Sequence, residues 1–175
     1  MNRPATLLVL LLAGLLAGCG GGSRPTGIRA AETPADDVAE YQPRWRSHTV
    51  DSTQYRKVFL AGTIDMGRSA DGQAALVARF RDSIGGRWLF FNPRRREFHA
   101  SPAEMEYQVA WELAHLEAAD LIVMNLLGDS RSPISLLEMG LYARSGKLFV
   151  ACSPDYYRYD NVRITCRRYG VPLYD

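Results

Sequence analysis

The sequence predicts an α/β domain built on a doubly wound parallel sheet with helices on both faces. Two observations carry that expectation. From residue 57 onward, short apolar runs alternate with helix-like stretches through brief connections, the arrangement that parallel sheets require. The strongest run, residues 121–127, is apolar without any period-two alternation, which suits a strand covered on both faces.

Five strands follow in order. Residues 57–61 (KVFLA) form the first, and Gly62-Thr63-Ile64-Asp65 begins the loop that leaves it. Asp71 can cap a helix to residue 84, whose Ala74, Val77, Phe80 and Ile84 fall at helical spacing before Gly85-Gly86 stops it. Residues 88–91 are the second strand, ended by Asn92-Pro93, and Arg94-Arg95-Arg96 opens a polar loop. Ser101 with Glu104 is a capping-box pattern for a helix to about residue 119. After the third strand, residues 120–127, turn formers at 128–132 lead to a helix with Ser132 as its cap and Pro133 in its first position. Gly146 closes that helix, and residues 147–152 are the fourth strand. A helix over 159–169, stopped by Gly170, precedes a short last strand at 171–174.

The first 18 residues are not part of this fold. Arg3 precedes an apolar run over 7–16 that is short for a bilayer span, and Leu16-Ala17-Gly18-Cys19 resembles the lipobox of bacterial lipoproteins. The resemblance implies cleavage before Cys19, acylation of its thiol with palmitate-type chains, and a membrane anchor in the cell envelope. Gly20 in place of an aspartate favours the outer membrane and its periplasmic face. Residues 19–45, rich in Gly, Ala, Pro and acids, read as a flexible tether, leaving 46–175 as the folded domain.

A formal net charge of +2 gives no basic field of the kind that nucleic acid demands. No Cys/His metal spacing occurs, and neither the dinucleotide nor the Walker glycine pattern is present, so no metal or organic cofactor is expected. In an exported protein Cys152 and Cys166 could pair, closing a loop worth roughly 3 kcal/mol in the chain-entropy model. One of them ends a strand and the other lies inside a helix, so sequence leaves the pairing open.

Loops at the carboxyl ends of parallel strands line the ligand crevice of such sheets. Glu138 is the first candidate for chemistry there: one acid in a turn otherwise made of Leu136, Leu137, Met139, Gly140 and Leu141. Glu112 is the second, set among Ala110, Trp111, Leu113 and Leu116. Asp65 either hydrogen-bonds a sugar hydroxyl or stabilises its own turn. Arg94 to Arg96 either hold a phosphate or carboxylate or form solvated surface.

Several pieces together resemble one family. They are Phe59-Leu60-Ala61-Gly62-Thr63-Ile64, Asn92-Pro93-Arg94-Arg95, Gln108-Val109-Ala110-Trp111-Glu112, Ala119-Asp120 and the run from Ser132 to Gly140, with Asn161-Val162 and Cys166-x-x-Tyr169-Gly170 later. The chain resembles the nucleoside 2-deoxyribosyltransferase-like family, in the branch with an Asn-Pro-Arg-Arg motif. The resemblance implies a flavodoxin-like five-stranded parallel sheet. It also implies an enzyme that cleaves the N-glycosidic bond of deoxynucleosides and passes the sugar to another base or to water. Glu138 falls on the family's nucleophile and Glu112 on an acid near the base. Gly62, Thr63, Ile64, Asp65, Asn92, Arg94, Arg95, Ser132, Ser135 and Asn161 are the expected substrate contacts, Asn161 across the interface of a homo-oligomer.

Better-known transferases keep an aspartate where this chain has Ser132. With Ser135, Arg94 and Arg95, that departure leaves the donor open between a (deoxy)nucleoside and its 5'-monophosphate, the latter as in the hydrolase relatives. Helix polarity is expected to keep Glu138 ionised, while burial raises Glu112. The competing expectation is a non-catalytic lipoprotein that binds a nucleotide-like ligand in the same crevice.

Overall fold

A computed structural model describes residues 37–95, 97 and 99–175. The signal segment, Cys19 and most of the tether lie outside the described residues. Strands β1 (Val38–Gln42), β2 (Trp45–Arg46), β3 (Arg56–Gly62), β4 (Trp88–Phe91), β5 (Leu121–Leu126), β6 (Leu148–Cys152) and β7 (Leu173–Tyr174) are joined, from β3 onward, by helices α1 (Gly72–Ser83), α2 (Pro102–Ala118), α3 (Pro133–Tyr142) and α4 (Tyr159–Tyr169). All seven strands form one sheet in the order β2-β1-β4-β3-β5-β6-β7. Every pairing is parallel except that of β1 with β2.

The five expected strands are present, and among themselves they take the flavodoxin-like order 2-1-3-4-5. From β3 the chain moves outward to β4, then crosses back over β3 to β5 and continues in that direction. Right-handed crossovers therefore place α1 on one face and α2, α3 and α4 on the other. Two apolar clusters record the split. On one face Leu76, Val77 and Phe80 pack on Val58, Leu60, Trp88, Phe90 and Val123. On the other, Leu116, Met139, Ala143 and Val162 pack on Phe59, Leu89, Phe91, Ile122, Met124 and Leu126. Phe80 meets Trp88 and Phe90 edge to face at 5.0 and 5.1 Å, and burial of a side chain this size contributes about 1.5–3 kcal/mol.

One expectation is corrected. Residues 38–45, read as the end of a tether, supply one strand and the first residue of a second. Ala39 and Tyr41 enter one core and Val38 the other, and β1 pairs with β4 from Val38↔Trp88 to Tyr41↔Phe91. A partner some fifty positions further along the chain decides this strand, and local composition does not announce it.

The helix starts follow the expected residues with one exception. Asp71 accepts from the backbone of Ala74 at 2.9 Å, and Ser101 from Glu104 at 3.1 Å. Lys147 closes the far end of α2, its Nζ donating to the carbonyls of Leu116, Glu117 and Ala119 at 2.7, 3.0 and 3.1 Å. The exception is Ser132. It stands at the start of α3 with φ 39° and ψ 53°, and its hydroxyl makes no capping bond.

Candidate active site

The loops after β3 and β5 leave the sheet toward opposite faces, because β3 and β5 flank the point where strand order reverses. Between them opens a cavity of about 740 Å³. Its walls come from residues 61–68, from Pro93 to Arg95, from Met105, Gln108, Val109 and Glu112 on α2, and from the first turns of α3 down to Glu138.

Glu112 and Glu138 both line this cavity. Glu138 is 8 % exposed, and among the described residues nothing hydrogen-bonds or ion-pairs its carboxylate. Burial first, and the charge of Glu112 second, push its carboxyl up to about 8. Burial therefore works against the helix polarity expected to keep Glu138 ionised. Glu138 sits in the second turn of α3, where the dipole has faded and desolvation dominates. Burial also raises Glu112, as expected, against a hydrogen bond from Gln108 that lowers it. Burial raises both acids, and the charge of Glu112 adds to the rise of Glu138.

Gln108 escaped notice as a site residue. Its Nε2 donates to the Pro93 carbonyl at 3.0 Å and to Glu112 Oε1 at 2.8 Å. The signal was available: Gln108 precedes Glu112 by one helical turn, the spacing at which side chains on a helix meet.

The other rim is a chain of hydroxyls. Ser130 Oγ donates to Asp65 Oδ1 at 2.9 Å. Ser130 Oγ and Thr63 Oγ1 each lie 2.7 Å from Ser132 Oγ, and the Leu127 amide donates to Thr63 Oγ1 at 3.1 Å. With one proton per hydroxyl and a carboxylate at the end, the direction is determined: Thr63 donates to Ser132, Ser132 to Ser130, and Ser130 to Asp65. Asp65 thus ties one loop to the other through Oδ1, and both it and Ser132 line the cavity. Four non-glycine residues have positive φ among those described, and three of them, Asp65, Met66 and Ser132, line this cavity. Such strain gathers where function over-determines the backbone.

The arginines are held by the protein. Arg94 donates to the carbonyls of Gly67, Ser69 and Ala70 at 3.1, 2.7 and 3.4 Å and pairs with Asp71 at 3.4 Å. Arg95 Nη2 lies 2.6 Å from Glu104 Oε2, and Arg44 reaches the other oxygen of that carboxylate at 2.7 Å. Glu104, expected to complete a capping box, instead clamps Arg95 and the β1–β2 turn to the start of α2. Both arginines line the cavity, with their guanidinium groups committed to the 67–71 loop and to Glu104.

The remaining candidates divide. Gly62, Ile64 and Ser135 line the cavity, while Thr63 lies beneath it. Asn92 is 1 % exposed and outside the lining; it donates to Glu40 at 2.8 Å and accepts from the Arg94 amide at 3.0 Å, so it shapes the Asn-Pro-Arg-Arg turn. Asn161 is exposed on α4, away from the cavity. Cys152 and Cys166 are free thiols buried in one core, which pushes them up to about 12 and about 11. The possible disulfide is not formed here, and inert buried thiols of this kind are ordinary core residues. No group of three or more metal-ligating side chains comes together among the described residues.

A model of one protein family, described as nucleoside 2-deoxyribosyltransferase like, matches residues 55–156. The match spans β3 to just beyond β6 and includes every residue of the cavity wall. No curated protein matches the chain.

Proposed function

Because the chain belongs to the nucleoside 2-deoxyribosyltransferase-like family, whose members transfer the glycosyl group of nucleosides, we propose that it cleaves the N-glycosidic bond of a deoxynucleoside with Glu138 as nucleophile and Glu112 as the acid beside the base. One observation carries this reading: a buried carboxyl, Glu138, and a half-buried one, Glu112, line a single cavity without a cationic partner among the described residues. A structural acid in so dry a place would be paired.

The chemistry balances as follows. A Glu138 oxygen bonds to the anomeric carbon as the bond from that carbon to the base nitrogen breaks, through a transition state with oxocarbenium character. The electron pair leaves with the base, which takes a proton from Glu112. The sugar ester on Glu138 is then opened by the nitrogen of a second base or by water. Attack requires Glu138 as the carboxylate and Glu112 as the acid, and the burial that raises both favours keeping within the pair the one proton that the base needs.

Arg94 and Arg95 are engaged by protein groups, which favours an unphosphorylated donor over a 5'-monophosphate. The lipobox-like Cys19 supports an anchored enzyme in the envelope, facing the periplasm from the outer membrane. A homo-oligomer is supported by the exposed apolar residues of α2 and α3, of which Met105, Val109 and Ile134 line the cavity and Leu137 lies beyond it.

The deciding experiment mixes the purified protein with deoxynucleosides, ribonucleosides and their 5'-monophosphates, with and without acceptor bases, and separates the products by chromatography. Free base or an exchanged nucleoside is expected from the wild type, and Glu138→Ala is expected to lose on the order of a thousandfold or more of that rate. Equal base release by Glu138→Ala would overturn the mechanism. Binding of nucleosides by folded wild-type protein with no turnover would make the chain a non-catalytic binder.

A further inference from the structure

Gln108 has one hydrogen-bonding position that the protein leaves empty. Both protons of its Nε2 are used, one on the Pro93 carbonyl and one on Glu112. The Pro93 carbonyl can only accept, so the amide cannot be turned round without placing two oxygens against each other. Its Oε1 is therefore held in place as an acceptor. It is buried, and no donor reaches it among the described residues. An acceptor left unpaired inside a protein is costly and asks for an explanation. Gln108 lines the cavity, one helical turn from Glu112 on the same wall.

We propose that Gln108 reads the leaving base. Its Oε1 accepts from an exocyclic amine while Glu112 addresses the ring nitrogen next to that amine, and the site thereby selects amino bases over oxo bases. This rests on the role given to Glu112 in the proposed function. The Hoogsteen edge of adenine offers the required pair, a ring nitrogen that accepts and an amine that donates, and cytosine offers it at N3 and N4. Hypoxanthine, guanine, uracil and thymine present a carbonyl where the amine would lie. That carbonyl would face Gln108 oxygen to oxygen, leaving two buried acceptors unpaired, and sites built on such pairing reject the mismatched analogue strongly.

The test compares 2'-deoxyadenosine with 2'-deoxyinosine, which differ in the C6 substituent, and 2'-deoxycytidine with 2'-deoxyuridine. Wild-type kcat/KM is expected to favour the amino member of each pair by roughly tenfold to a hundredfold. In Gln108→Met, which keeps the length of the side chain and loses the acceptor, the ratio is expected to fall toward one, whatever happens to the absolute rate. Equal rates for the two members of each pair, or an unchanged ratio in Gln108→Met, would overturn the assignment and leave the proposed function standing. If no nucleoside is cleaved, the proposed function fails, and calorimetry with free adenine and hypoxanthine decides the reading of Gln108. Tighter binding of adenine upholds it; equal binding, tighter binding of hypoxanthine or no binding of either overturns it.

Discussion

At the scale of single residues, Glu138 is where the proposed function and stability pull against each other. Its carboxyl titrates near 8 in the folded chain against an ordinary value of 4.5. Between those values the folded state holds a proton that the unfolded state has released, so stability falls as pH rises through that window. Glu138→Gln removes the linkage. The variant is expected to be more stable than the wild type at pH 9, by roughly a few kcal/mol at most, with the gap closing toward pH 4. Urea denaturation of both proteins at several pH values would measure it, and a gap that stays constant with pH would refute it. An acid kept in a place that destabilises the fold is the mark of a site maintained for chemistry.

The elements meet where Gly62, at the end of β3, passes Asn125 of β5. Its φ is +115°, and an added Cβ would lie 2.1 Å from the Asn125 carbonyl oxygen. Backbone cannot yield as a flexible side chain can, and the left-handed region itself disfavours any other residue. Gly62→Ala is expected to cost on the order of 3 kcal/mol or more and to displace the loop that carries Asp65. Its unfolding midpoint in denaturant would show the loss, and a midpoint equal to the wild type would show that β3 and β5 can separate there without strain. The same crossing explains the hydroxyl chain. Once β3 and β5 are adjacent, Thr63 and Ser132 are neighbours although 69 positions separate them.

The whole molecule has an uneven surface. Met105, Val109 and Leu113 follow one another by helical turns along α2, and Ile134, Leu137 and Leu141 do so along α3, all exposed. Exposed apolar rows of this kind are what the proposed oligomer interface would cover. Leu137→Glu is expected to lower the mass of the particle in analytical ultracentrifugation toward that of a single chain; a wild type that is already monomeric would refute the proposed oligomer. At the other end of the chain, Cys19 is expected to take up labelled fatty acid in a bacterial host and Cys19→Ser to lose it. Label in the serine variant, or in neither protein, would remove the envelope from the proposed function.

Sequence by itself determined the five central strands, the four helices and the two acids. Each follows from local information: an apolar run, a cap, a periodic face, or one carboxylate in an apolar turn. Tertiary structure decided the rest. Residues 38–42 became a strand because β4 offered them an edge, and residues 45–46 then paired with that strand. Ser132 left its expected cap because Thr63 and Ser130 compete for its hydroxyl. Arg94 and Arg95 turned to the 67–71 loop and to Glu104, partners that no spacing in the chain reveals. The burial of Glu138, which works against helix polarity, is hidden from the sequence for the same reason. Helix polarity can be read from position along a chain, whereas desolvation depends on what the fold brings around the group.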